Sequence, residues 1–390
     1  MQTTKLRLRN TMIFSATFSC IFCALYLYAA PAAPTRLPFG PWKRASKQPV
    51  ISPAGNGFES AGTFNPAVIK KDGEFVMLYR AQGSQGTSTL GYATSRDGVH
   101  FTRRAAPVFG PQAPYEKGGG TEDPRLVRIG GAYYLTYTGY NNVDGKGPGK
   151  KDAQLCLATS TDLIHWTRHG VIMPAYRGKW NIGWTKSGAI VPEKINGKYW
   201  MYYLGDARSH PSQMGVAESD DLLHWTDATD RPVLASRPGS FDARVVEPGP
   251  PPVVTPEGIL LIYNGADNHL VYSTGWVLFD KNNPARVLAR ASTPIFRPVL
   301  PWERTGQTPN VVFVEGLARS GRRWLFYYGG ADQYVGVAVA DGESRDVVSA
   351  CEHGISKSDT SLYVLKSQYR INPKILKKLS SCLAPARKLL

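Results

Sequence analysis

Two adjacent carboxylates, Glu122 and Asp123, follow three glycines and precede Pro124 and Arg125. Glycine lets backbone come close to a neighbour, and proline fixes φ. A carboxylic acid held at the head of an apolar strand, with a cation two residues on, suits general acid chemistry on a polar substrate. The same Glu-Asp-Pro-Arg turn also suits a capped, salt-bridged loop with no chemistry. The position of the stretch in a repeating pattern separates the two readings.

Leu90 to Phe101, Leu155 to Trp166 and Met214 to Trp225 each read as a small-residue strand, a Ser-x-Asp turn and then an aromatic residue. Ser95, Ser160 and Ser219 are spaced 65 and 59 residues apart. An aromatic strand precedes each copy, and two looser copies follow, at 259–280 and 324–340. Self-similarity at this period means a solenoid or a propeller. Short β-branched and aromatic runs between Gly, Pro, Asn and Asp turns are strands, and 60–340 shows no helical periodicity. Five copies of about four strands predict an all-β protein, a five-bladed β-propeller over 61–340. The Ser-x-Asp turns are assigned to folding, with the trailing aromatic packed between blades.

In a propeller the first strand of each blade lines a central channel. Here those strands open with Asn65-Pro66, Glu122-Asp123-Pro124-Arg125, Lys186 to Glu193, Val246-Glu247-Pro248, and Asn310 to Glu315. Asn65, Asp123, Lys186, Glu193, Glu247 and Glu315 are therefore expected to meet at one funnel. Repulsion among carboxylates there would raise at least one pKa, as acid catalysis needs. For any single carboxylate, a satisfied hydrogen bond between blades is the competing reading.

The chain has 390 residues, a formal charge of +16 and five cysteines. Its Lys and Arg are scattered, which argues against nucleic acid and leaves an ordinary basic surface or an acidic polysaccharide. Residues 1–33 combine Lys5, Arg7 and Arg9 with an apolar run and small residues near a cleavage point. They read as a secretory signal peptide or an uncleaved signal anchor, and both place the rest in the periplasm or outside the cell. Membrane contact is expected only through an uncleaved leader. Residues 34–60 read as a linker, and 341–390 as a basic extension with nine basic and five acidic residues. Cys156, Cys351 and Cys382 give no disulfide framework and no metal spacing, though Cys351 and Cys382 could pair.

The ordered motifs Phe64-Asn65-Pro66-Ala67, Leu78-Tyr79-Arg80-Ala81, Ser95-Arg96-Asp97-Gly98, Glu122-Asp123-Pro124-Arg125 and Tyr328-Gly329-Gly330-Ala331-Asp332 resemble glycoside hydrolase family 130 from about residue 60 to 340. That resemblance implies a five-bladed propeller acting on β-mannosides with inversion at the anomeric carbon. It implies Asp123 as the general acid, passing its proton through a mannose hydroxyl. It also implies that Asn65, Arg80, Arg125 and Asp332 bind the mannose to be cleaved; such groups suit pairs of sugar hydroxyls. Tyr140 and Trp184 suit either a pyranose face or the core between blades.

Phosphorylase members carry a His-Arg pair where this chain has Leu204-Gly205-Asp206, and Tyr-His-Gly where it has Tyr263-Asn264-Gly265. Lys186 is kept, with Ser187 in place of an aspartate. Two lost charge-assisted contacts cost roughly 1.5–3 kcal/mol each in phosphate binding, and Glu247 would repel the anion. Water as nucleophile needs a carboxylate base opposite the acid, for which Glu247 and Glu193 are the candidates. Arg168 and Arg208 could replace the lost cations, which keeps phosphorolysis open. The expectation is an exported, inverting β-mannoside hydrolase, favouring β-1,2 linkages, with no metal and no cofactor. The alternatives are a phosphorylase releasing mannose 1-phosphate, a five-bladed glycosidase of another family, and a glycan-binding propeller without catalysis. The sequence does not give the oligomeric state.

Overall fold

Short aromatic and β-branched runs between turn residues favour strands over helices, and the computed structural model bears this out. It describes residues 37–143, 151–176, 178–206 and 211–342. Strand β1 is Lys43–Arg44. A first antiparallel meander follows, with β2 (Gly62–Lys71), β3 (Glu74–Gln82), β4 (Ser88–Ser95) and β5 (Thr102–Arg103). The second holds β6 (Gly118–Ile129), β7 (Ala132–Asn141), β8 (Asp152–Ser160) and β9 (Thr167–Met173). The third holds β10 (Thr185–Ile190), β11 (Tyr199–Gly205), β12 (Gln213–Ser219) and β13 (Thr226–Asp227). The fourth holds β14 (Val245–Pro248), β15 (Val253–Thr255), β16 (Gly258–Ala266), β17 (Tyr272–Asp280) and β18 (Asn283–Arg290). The last holds β19 (Val312–Ser320), β20 (Arg323–Gly330) and β21 (Tyr334–Asp341). Among the described residues, helix is confined to a 3-10 turn at Pro114–Glu116 and the single turn α1 (Pro301–Arg304).

The hydrogen bonds define four sheets, because one parallel pair, Ser88 with Gly120, joins the first two meanders. Gly120 must be glycine there: its φ is +96°, and a Cβ would lie 2.1 Å from the Ser88 carbonyl oxygen. The stretch expected to be a linker is partly built into the fold. Its strand β1 pairs with β21, and Phe39 and Ile51 are buried.

Apolar packing follows the meanders in order. One cluster joins the first to the second through residues such as Leu78 and Leu135, and another joins the second to the third through Leu155 and Met201. Val216 and Leu261 belong to the third–fourth cluster, and Ile262 and Phe326 to the fourth–fifth. A last cluster holds Met77 and Leu325, so the fifth meander packs against the first.

A second fivefold feature was not legible in the sequence. Each meander buries a tyrosine on its second long strand, and each phenol donates to a carboxylate: Tyr79 to Glu59, Tyr137 to Glu116, Tyr203 to Asp227, Tyr263 to Asp242 and Tyr328 to Glu303. In four of the five an arginine pairs with that acid: Arg103, Arg168, Arg290 and Arg44. A buried phenol needs an acceptor, which every clasp supplies, and a buried carboxylate needs a counter-charge, which the four arginines supply.

The Ser-x-Asp turns behave as expected. Ser160 Oγ accepts from the Leu163 amide at 2.8 Å, while Asp162 Oδ1 accepts from the Ile164 and His165 amides at 2.8 Å. Trp225, which trails the third turn, is buried against the second and third meanders. Cys156 is buried with a free thiol, whereas Cys351 and Cys382 lie outside the described residues, as do the leader and nearly all of the basic extension. No helix among the described residues is long and apolar enough to cross a membrane.

Candidate active site

Four of the five first strands share a backbone device. In β2 the pairing register skips Asn65, in β6 it skips across Asp123 and Pro124, and in β10 across Ser187 and Gly188. These are β-bulges, which bend a strand and re-aim one side chain. Asn65, Asp123 and Ser187 all sit in the left-handed region, with φ of 47°, 50° and 62°. Strain of roughly 1–3 kcal/mol at each is offset by the packed strands around it. The strand β19 skips at Glu315 in the same way. Neighbouring strands make room: at Gly329 a Cβ would fall 2.2 Å from Asn65 Oδ1.

The bulges bring distant residues to one cavity of about 200 Å³. Asn65, Arg80, Asp123, Lys186, Glu247 and Asp332 form its polar wall, with Tyr272, Thr308, Leu270, Val311 and Phe313 beside them. A larger hollow of about 300 Å³ lies farther along the same strands, lined mostly by apolar residues such as Leu126, Val253 and Leu317. It lacks Asp123 and its partners, so the smaller cavity is the site.

Asp123 is the best-anchored group. Its Oδ1 accepts from Asn65 Nδ2 at 2.8 Å and from Arg80 Nη1 at 3.1 Å. The other arm of Arg80 donates to Glu122 Oε1 at 2.5 Å, where Ser88 Oγ also donates. Burial alone would push both acids up. For Asp123, Arg80, Lys186 and the Asn65 amide outweigh burial and hold its carboxyl below the usual carboxylate range. For Glu122, burial outweighs Arg80, and with the like charge of Asp123 the carboxyl rises to about 7. Arg80 bridges both carboxyls, so the two titrate as a pair.

Glu247 occupies another part of the wall. It is buried, accepts from Ser187 Oγ, and lies 3.6 Å from Lys186 Nζ. Burial would lower the Lys186 amine, but Glu247 and Asp123 hold it above its ordinary value. Asp332 is raised, chiefly by burial.

Several expectations need correction. Glu193 does not join the site: it is exposed in the turn between β10 and β11, beyond the far end of β10 from Lys186, and does not line the cavity. Arg125 does not touch the cavity either. Its guanidinium is 1% exposed and bonded to backbone carbonyls and Glu315. Arg168 belongs to a tyrosine clasp, paired with Glu116 at 2.7 Å over the Phe109 ring, and cannot serve an anion in the cavity. Arg208 lies outside the described residues. Asn264, where histidine was expected, is fully buried and bonds both ways to the Val314 backbone. Tyr140 and Trp184 pack on each other, with ring centroids 5.9 Å apart.

Sequence reasoning missed Tyr272, Thr308, Leu270 and Phe313. Tyr272 and Leu270 come from the start of β17 and the loop before it, Thr308 from the segment after α1, and Phe313 from the start of β19. The first-strand rule had no place for loop residues. Tyr272 is tied to that segment by its amide bond to the Asn310 carbonyl.

A family profile described as β-1,4-mannooligosaccharide phosphorylase matches residues 44–353. The chain belongs to glycoside hydrolase family 130. Among members of family 130, a 1,2-β-oligomannan phosphorylase of Thermoanaerobacter sp. (strain X514) is 40% identical over 313 residues, covering 78% of this chain and 98% of that protein. A β-1,2-mannobiose phosphorylase of the same organism is 34% identical, covering 77% and 97%. One solved structure is 38% identical with a TM-score of 0.70, covering 78% of this chain and 97% of its own. It comes from work reporting that the family of mannoside phosphorylases contains glycoside hydrolases that target β-1,2 mannosidic linkages in Candida mannan. A further structure, of the Listeria innocua β-1,2-mannobiose phosphorylase with β-1,2-mannobiose, is 26% identical with a TM-score of 0.67, covering 77% and 96%. This is an enzyme family acting on mannosides; the two Thermoanaerobacter relatives and the Listeria protein are phosphorylases, whereas hydrolysis was expected from sequence.

Proposed function

We propose that this chain cleaves β-1,2-linked mannosides by a single inverting displacement, in the central cavity of a five-bladed propeller. The ring of five apolar clusters and the five tyrosine clasps support the five blades. The observation that carries the chemistry is the convergence of Asn65 and Arg80 on Asp123, in a cavity that also holds Glu247. Asp123, whose carboxyl is held low, first takes up a proton, for which the raised Glu122 beside it is the neighbouring source, and gives it to the departing glycosidic oxygen as the bond to the anomeric carbon breaks. Asn65, Arg80 and Asp332 hold the mannose hydroxyls.

Phosphate is the acceptor that the named relatives support. Lys186 puts a cation on the cavity wall for it, while Arg80 is engaged by Asp123 and Glu122. One phosphate oxygen then takes the anomeric carbon, giving mannose 1-phosphate and a shortened mannoside. Hydrolysis is kept as a second reading for one reason: Glu247 is a buried carboxylate on the wall of the cavity that holds Asp123, which supports it as the base for water. Purified protein given β-1,2-mannobiose with and without phosphate decides between them. Mannose 1-phosphate formed only with phosphate establishes phosphorolysis, free mannose at an unchanged rate without phosphate establishes hydrolysis, and no cleavage under either condition refutes the function. Export is proposed from residues 1–33 alone, and recovery of the protein solely from the cytoplasm would refute it.

A further inference from the structure

Arg125 makes more contacts than a salt-bridged loop residue needs. Its Nη1 donates to the carbonyl of Asp123 at 3.1 Å. Its Nη2 donates to the carbonyl of Pro248 at 2.7 Å, and its Nε to that of Gly249 at 2.9 Å. Pro248 and Gly249 directly follow Glu247. One planar group therefore grips the backbone beside Asp123 on β6 and the backbone beside Glu247 at the end of β14. A guanidinium presents its donors in a fixed fork, which an ammonium cannot copy.

The grip needs a counter-charge because the guanidinium is buried. Glu315 supplies it, with Oε1 2.9 Å from Arg125 Nη2 and a side chain 0% exposed. No hydrogen bond reaches either Glu315 oxygen, so Arg125 is its partner. Glu315 is the skipped residue of β19, and Asn264 pins that strand at Val314. Three first strands thus meet beneath the cavity at a single ion pair.

We infer that Arg125, held by Glu315, is a positioning residue that sets Asp123 and Glu247 at a fixed separation across the substrate cavity. The inference rests on the mannoside-cleaving reading. Neither residue touches the cavity, so substrate binding is left largely intact while alignment for the displacement is lost. A misplacement of about 1 Å costs on the order of 100-fold in rate.

Three variants test this: Arg125→Lys, Glu315→Gln, and the double change Arg125→Met with Glu315→Leu. Turnover of β-1,2-mannobiose by the unaltered protein is measured first. Its absence counts against the function, whereas unaltered turnover in the variants counts against positioning alone. The expected result is a kcat lowered ~10–100-fold in Arg125→Lys and Glu315→Gln, with KM within ~3-fold. The double variant removes both charges together, so it is expected to regain thermal stability without regaining kcat. Recovery of kcat in the double variant, or an Arg125→Lys enzyme within ~2-fold of the original, overturns the inference. Failure of all three to fold overturns it as well, because the pair would then be a stability element.

Discussion

The Ser-x-Asp turns and the first-strand bulges are both repeated polar features, and they differ in what is repeated. In the turns, side chains recur: Ser95, Ser160 and Ser219 each accept from the amide three residues on. Asp97, Asp162 and Asp221 each cap the next two amides beyond the turn. In the bulges, the backbone recurs and the side chains do not: Asn65, Asp123 and Ser187 share one left-handed conformation and differ in chemistry. A structural task repeated three times selects one residue. A binding task performed once, from several directions, keeps the scaffold and varies what it carries.

That contrast can be broken by exchanging effects between the two regions. The largest change is expected from Asp123→Asn, with mannoside turnover falling ~100–10,000-fold while melting temperature holds; near-normal turnover by a product assay would remove Asp123 from the chemistry. Asn65→Ala comes next. It deletes the 2.8 Å bond to Asp123, and turnover should fall ~10-fold. Its pH–rate profile should shift towards higher pH, because the amide helps hold Asp123 low.

Ser160→Ala should do the reverse. Loss of its amide bonds destabilises by about 1 kcal/mol, read as an earlier denaturant midpoint, with kcat unchanged. A turn variant that lost activity without stability would erase the distinction drawn here.

The smallest effect is expected from Glu122→Gln. The folded-state pKa of Glu122 is raised from 4.5 to about 7 by burial and by Asp123. Its protonated form therefore favours the fold: that contribution is complete below pH 4.5 and is lost as pH rises through about 7. The glutamine cannot ionise, so the stability of the variant should vary less between those limits in denaturant titrations at several pH values.

Much of this was legible from residue patterns. Strand period and turn chemistry are local, so the meanders and the folding role of the Ser-x-Asp turns could be read directly. Asn65, Asp123, Lys186 and Glu247 were found because first strands converge, and Arg80 and Asp332 from the family motifs they sit in. Glu193 was misplaced because a strand of six residues carries its far end well away from the cavity. Arg125 was misassigned because sequence shows a cation near an acid but not which way its fork points. The tyrosine clasps escaped notice although four of the acids precede their tyrosine by 20 to 25 residues, because those acids lie in different kinds of segment and the fifth, Asp227, follows Tyr203 instead.

The pairing of β1 with β21 has a consequence for how the protein is made. Arg44 reaches Glu303 across 259 positions of chain, and Phe39 and Ile51 wait for residues near 335–342. Residues 39–51 meet these partners only once residues 335–342 have been made, so the last meander is tied to an early stretch of the chain. A cut after Ile51 should loosen the last meander at once.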